Sequence, residues 1–259
     1  LLIYAIFGVL KAQLPRKKYW LWFAAAFPFI SAWLLLGGLS LQPVETSKLG
    51  GILLTIIIGV TGISFSLPIG IVLALGRRSN MPALKTVCVL FIEFIRGVPL
   101  ITLLFVASTM LTYFLPPGST FDLLMRVLIM VTLFSSAYIA EVVRGGLQGL
   151  PPGQYEAADS LGLTYWKAHR LIILPQALKI SIPGIVNTFI GLFKDTTLVL
   201  IIGMMDIVGL GRARLNDPYW LGLAGELYLF IAIFFFICCS CMSRYSINLE
   251  NKLSTGRRD

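Results

Sequence analysis

Long apolar runs separated by short polar stretches set the pattern of this chain. They fall at about 1–10, 20–41, 51–76, 87–115, 127–143, 180–203 and 226–243. Several reach about 20 residues, enough for a helix to cross about 30 Å of hydrocarbon. A segment in lipid must satisfy its own backbone hydrogen bonds, so each run is expected to be helical. Pro68 and Pro99 interrupt two of the runs, where a kink or break is expected. The run from 87 to 115 has room for a membrane-entering segment, a break at Gly97–Val98–Pro99 and a second segment.

Composition supports the same reading. Hydrophobic residues make up 57% of the 259 and charged residues only 13%, with a mean hydropathy of +0.87. Ordinary soluble domains carry about 25% charged residues. The chain therefore reads as an all-α polytopic membrane protein. It opens on Leu1 within an apolar decapeptide, which looks like a trimmed segment and has no basic flank or cleavage site of a signal peptide. Cys88, Cys238, Cys239 and Cys241 all lie in apolar runs, and no histidine accompanies them. Neither a disulfide framework nor a metal site is expected, and small buried hydrophobes are the better reading.

Orientation follows from the basic residues. If the stretches near 11–18, 77–86 and 144–179 and the tail after 243 are cytosolic, that side holds 15 of the 21 Lys and Arg: Lys11, Arg16, Lys17, Lys18, Arg77, Arg78, Lys85, Arg144, Lys167, Arg170, Lys179, Arg244, Lys252, Arg257 and Arg258. The net charge of +9 is thus a topology signal, dispersed over short loops. A nucleic-acid-binding role is excluded on that ground, because it needs the charge on one soluble face.

The longest polar connection on the inner side runs over 145–178. Pro151–Pro152–Gly153 stops the preceding helix, and Gln154–Leu161 reads as a short helix with Glu156 in its first turn. An acid there complements the positive helix end. Gly162 suits a C-terminal cap, Thr164 can open a second short helix, and Pro175 is expected to end it. The result is a compact knob facing the cytosol. His169 is expected on a solvated helix face.

The knob carries Glu-Ala-Ala, three residues, Gly, nine residues, then Ile-x-Leu-Pro. At Glu156, Ala157, Ala158, Gly162, Ile172, Leu174 and Pro175 it resembles the coupling-loop motif of ATP-binding-cassette importer permeases. The stretches EFIRGVPLI (93–101), AYIAEVVRGGLQGLPPGQYEAA (137–158), LPQALKISIPGIVNTFIGLFKDTTL (174–198) and MSRYSINLENKL (242–253) are similar to the polar amino acid branch. Val98 stands where that branch commonly has Thr, and Thr197 where Ser is usual.

The resemblance implies a five-helix type I importer permease core at 46–245, with extra transmembrane helices in 1–45 and a cytosolic C-terminal tail at 246–259. It implies a multi-pass subunit of a bacterial inner membrane, forming half of an amino acid pathway by alternating access. Implied partners are two cytosolic ATP-binding subunits that hold ATP and Mg, and a second, related permease in a heterodimer. An extracytoplasmic amino-acid-binding protein would deliver substrate near 116–126 and 204–225.

Five ionisable residues lie within spans: Glu93, Arg96, Glu141, Lys194 and Asp195. Such groups are costly in lipid and mark either a pathway or a helix–helix pair. Glu93 and Arg96 are three apart on one helix, and with Glu141 they are expected to cluster near the inner mouth. Lys194 and Asp195 lie deeper. The chain has no GxxxxGK[ST] loop and no catalytic or metal-ligating constellation, so it is not expected to be an enzyme or to hold a cofactor. The competing reading is an ion-driven secondary amino acid transporter, which would use the intramembrane acids and show internal repeats.

Overall fold

A computed structural model of the chain describes residues 46–114 and 121–254. The expected N-terminal spans in 1–45, residues 116–120 of the outer loop and residues 255–259 of the tail lie outside the described residues. Within them the chain is helical, and its one β-type pairing is an isolated bridge between Gly51 and Asp206.

Helix α1 (Gly51–Arg77) runs uninterrupted through Pro68. The expected break there does not occur: a proline removes one backbone rung, whereas breaking the helix in hydrocarbon would orphan several. Helix α2 (Pro82–Gly97) starts with proline, whose missing N–H costs nothing at that position. Cys88, Ile92 and Ile95 form its buried stripe. The predicted break follows: Val98 is extended (φ −112°, ψ 133°), the backbone a residue before proline prefers. The chain resumes as α3 (Leu100–Phe105), widens through a π-helical turn at Val106–Met110 and ends in α4 (Leu111–Phe114).

Helix α5 (Leu123–Gln148) is capped by Asp122, whose Oδ1 accepts from the Leu124 N–H at 2.7 Å. The loop helices are α6 (Gly153–Ser160) and α7 (Tyr165–Ala168). Pro175 does not end the second of them. A π-helical turn at His169–Ile173 leads from α7 directly into α8 (Leu174–Asp195). Within that wider turn the Leu174 N–H bonds back to the His169 carbonyl, and the altered spacing accommodates the donor that Pro175 lacks. A 3-10 segment (Thr196–Ile202), α9 (Ile207–Arg214), a 3-10 turn (Pro218–Trp220) and α10 (Ala224–Ser254) complete the described chain.

Among the described residues, four runs are long and apolar enough to cross a membrane: Gly51–Arg77, Leu123–Gln148, Tyr165–Ile202 and Ala224–Leu253. The pair of α2 with Leu100–Met110, bent by 102° at its break, makes a fifth if it is counted as one span. Counted in that way, the described residues match the expectation of five spans.

The helices distribute over two compact units, one built from the described parts of residues 1–64, 101–131 and 195–233, the other from 65–100, 132–194 and 234–254. In the first, Gly51 (φ +63°) donates to the Met205 carbonyl at 2.8 Å, and fully buried Asp206 caps α9 by accepting from the Gly209 N–H at 2.8 Å. Burial pushes the Asp206 carboxyl above the usual carboxylate range, opposed by the N–H groups of Gly209 and Val208. Arg126 donates to the Ser108 carbonyl at 3.0 Å, satisfying an acceptor within the first π turn.

The second unit has its own core of Ala74, Ile92, Ile139, Ala140, Val143, Leu147, Ile173, Ala177 and Ile185. Helices α5 and α8 meet there along small residues: Gly146 against Ser181 and Ala177, and Gly184 against Val142. The Ser181 hydroxyl donates to the Val142 carbonyl at 3.1 Å. Such seams let helix backbones approach closely where no hydrophobic force acts between helices.

Candidate functional site

The loop knob lies within the second unit. Helix α6 begins where Pro151 and Pro152 forbid further α5 hydrogen bonding, with Glu156 in its first turn. It ends in a Schellman arrangement: the Gly162 N–H donates to the Asp159 carbonyl at 2.9 Å and the Leu163 N–H to the Ala158 carbonyl at 3.2 Å. Gly162 has φ +65°, the left-handed conformation that this cap requires and that a side chain penalises. Thr164, extended at φ −64° and ψ 153°, opens α7 as expected, without a side-chain capping bond.

The motif positions divide into two sets. Glu156, Ala157, Gly162 and Pro175 are exposed, while Ala158 is 1% exposed and Ile172 and Leu174 are half-buried. Ala158 faces inward and lines a cavity of about 290 Å³ with Arg78, Tyr155, Asp159, Tyr165 and His169. Around the outward set, Leu161 and Trp166 are each 72% exposed and Leu171 is 65% exposed. Apolar side chains this open on a polar loop offer a contact area for another protein.

His169 is half-buried and keeps part of its surface open, as a solvated helix face would. Its ring stacks on Tyr165 with centroids 3.9 Å apart, lies edge-on to Tyr155 at 6.5 Å, and its Nδ1 bonds the Tyr165 carbonyl at 2.9 Å. A histidine one helical turn from a tyrosine was the signal for this pairing.

The charged cluster expected near the inner mouth exists and is larger than predicted. Arg77 Nη1 lies 2.8 Å from both Glu93 Oε1 and Glu141 Oε1. Arg144 reaches Glu141 Oε2 at 2.9 Å, and Arg96 reaches it at 3.6 Å. Glu141 is therefore shared by three guanidinium groups, and Glu93 pairs with Arg77 on another helix. Sequence reasoning had counted Arg77 and Arg144 as loop charges. Arg144 was legible from its i, i+3 relation to Glu141, whereas Arg77 required the packing of α1 on α2. Lys194 and Asp195 stand apart from this cluster in sequence, at the C-terminal end of α8.

Comparison with known proteins agrees with this geometry. Residues 66–255 match the family described as binding-protein-dependent transport system inner membrane component. The chain is 58% identical over 238 residues to the glutamate/glutamine/aspartate/asparagine transport system permease protein BztC of Rhodobacter capsulatus, covering 92% of this chain and 55% of that protein. It is 55% identical over 243 residues to the inner membrane amino-acid ABC transporter permease protein YhdY of Escherichia coli, covering 93% and 66%. The chain thus spans less than two thirds of either relative. A crystal structure of an amino acid ABC transporter with histidines superposes with a TM-score of 0.68 at 30% identity, covering 78% of this chain and 92% of that one. An inward-facing MetNI methionine ABC transporter shares the fold at 19% identity, with a TM-score of 0.57 over 76% and 91% of the two chains. The helical core, the projecting capped loop and the match over 66–255 lead to one conclusion: the chain belongs to the family of binding-protein-dependent transport system inner membrane components.

Proposed function

We propose that this chain is the membrane-spanning permease subunit of an ATP-driven amino acid importer, coupled to two separate ATP-binding subunits through its 156–175 loop. The observation that carries the reading is the knob itself. Its Schellman-capped helix presents Glu156 and Ala157 outward beside exposed Leu161 and Trp166. Amino acids as cargo follow from the relatives at 58% and 55% identity, which are permeases of amino acid transport systems. A second related permease would complete the pathway as a heterodimer, and an extracytoplasmic binding protein would deliver the substrate. ATP and Mg belong to the ATPase partners. The knob and the C-terminus face the cytosol in this reading, on the side chosen by 15 of the 21 basic residues.

Co-purification tests the coupling assignment directly. Gly162→Val puts a β-branched residue at φ +65°, costing about 1–2 kcal/mol in the turn. Combined with Glu156→Lys, it is expected to leave the subunit in the membrane and to lower recovered ATPase about tenfold or more. Full ATPase recovery with this double variant would end the assignment. Uptake of a labelled amino acid panel by the reconstituted complex, with and without ATP, then identifies the cargo.

Among the intramembrane charges, Glu141 already has three arginine partners, which supports a role in helix pairing. Asp195, at the C-terminal end of α8 with Lys194 beside it, is a pathway candidate that uptake can test. Asp195→Asn is expected to reduce uptake while ATPase subunits still co-purify; unchanged uptake removes Asp195 from the pathway.

A further inference from the structure

We infer that Tyr155, held by Arg78, is a positioning residue that ties the coupling helix α6 to the ends of α1 and α5, so that a push on the knob reaches the Glu141 cluster. The inference rests on the coupling role proposed above and concerns how that force is transmitted.

The geometry begins with a missing donor. In a continuing helix the Leu147 carbonyl would accept from residue 151, but residue 151 is proline and has no N–H. The Tyr155 hydroxyl supplies that bond instead, donating to the Leu147 carbonyl at 3.0 Å. The same hydroxyl accepts from Arg78 Nη1 at 3.0 Å, and the Arg78 guanidinium lies 5.5 Å from the Tyr155 ring centroid. One phenolic oxygen therefore joins three helices.

The adjacent residue makes the junction more than a local cap. Arg77, bonded covalently to Arg78, holds Glu93 and Glu141 at 2.8 Å each. The end of α1 thus carries two neighbouring guanidiniums, one on the knob and one on the charged cluster. A displacement of α6 that keeps the Tyr155 bonds must carry the end of α1 with it, and with that end the partner of both acids. Gln176 adds a second tie, donating to Gln154 Oε1 at 2.8 Å and linking α6 to α8.

The test uses the complete reconstituted complex, with ATP hydrolysis and amino acid uptake measured on the same vesicles. Tyr155→Phe keeps the ring in place and removes only the hydroxyl. The expected result is ATPase co-purification and hydrolysis within about twofold of the parent, with uptake per ATP hydrolysed lowered about fivefold to tenfold, the scale of one lost hydrogen bond. Arg78→Leu is expected to give the same loss, Arg78→Lys to restore part of it through its own donor, and Tyr155→Phe with Arg78→Leu to be no worse than either alone.

An unchanged ratio in Tyr155→Phe, or fully additive losses in the double variant, would overturn the inference. So would a parallel fall of hydrolysis and uptake, because a general loss of structure leaves the ratio unmoved. Failure of the coupling role itself has a different signature: the parent complex would show no ATP-dependent uptake, or the Gly162→Val, Glu156→Lys variant would retain its ATPase.

Discussion

A single methyl at Gly146 is expected to lower the subunit's unfolding temperature sharply, whereas the same methyl at neighbouring Gly145 is expected to be harmless. A Cβ at Gly146 would lie 2.1 Å from Ser181 Oγ and 2.5 Å from the Ala177 carbonyl oxygen. The serine can rotate away only by giving up its bond to the Val142 carbonyl, and the carbonyl cannot move without shifting α8. Overpacking of this kind costs about 3 kcal/mol, at the upper end of its usual range, because the obstruction is backbone. A Cβ at Gly145 meets nothing within 4 Å, and alanine there gains about 0.5–1 kcal/mol in helix propensity. Thermal unfolding of the two detergent-solubilised variants beside the parent checks both signs. Equal stability of Gly146→Ala and the parent would mean that α5 and α8 do not pack as described.

The second large effect is expected at Glu141. Three arginines and two acids make up its cluster, so Glu141→Gln leaves Arg77, Arg96 and Arg144 around Glu93 alone. Removing one member of a fully buried ion pair costs about 3 kcal/mol or more, and the 21–35% exposure of the three arginines brings the cost here below that, to about 1–2 kcal/mol. The Glu141 side chain itself is only 15% exposed. The expected readout is a lowered unfolding temperature and a lower yield of intact complex. Glu141→Gln with Arg144→Gln should recover part of the loss by relieving the excess positive charge, and additive losses would show that the charges do not act as one cluster.

Much of this architecture was legible in the sequence because hydrocarbon leaves the chain few choices. Apolar run length set the spans, and Gly97–Val98–Pro99 set the break between α2 and α3. The Gly162 cap was legible because its left-handed backbone asks for glycine. Pro68 was read as a kink or break and Pro175 as a helix stop. At Pro68 a continuous helix is the cheaper answer in lipid, and at Pro175 a widened turn absorbs the missing donor. Arg77 was assigned a loop position because its real contacts, Glu93 and Glu141, lie on elements distant in sequence. No local pattern announces that Tyr155 will occupy the acceptor that Pro151 leaves open, although the two facts lie only four residues apart.

The π-helical turn at His169–Ile173 gives the motif's spacing another meaning. Nine residues separate Gly162 from Ile172, and one residue of that stretch is accommodated only by the wide turn. Deleting it would let the backbone relax to ordinary α geometry, turning everything on the α7 side by about 100° about the axis of α8. The knob would survive as a shape, but it would point the wrong way. The spacing is thus a phase setting, and substitutions in that stretch should be tolerated better than any change in its length.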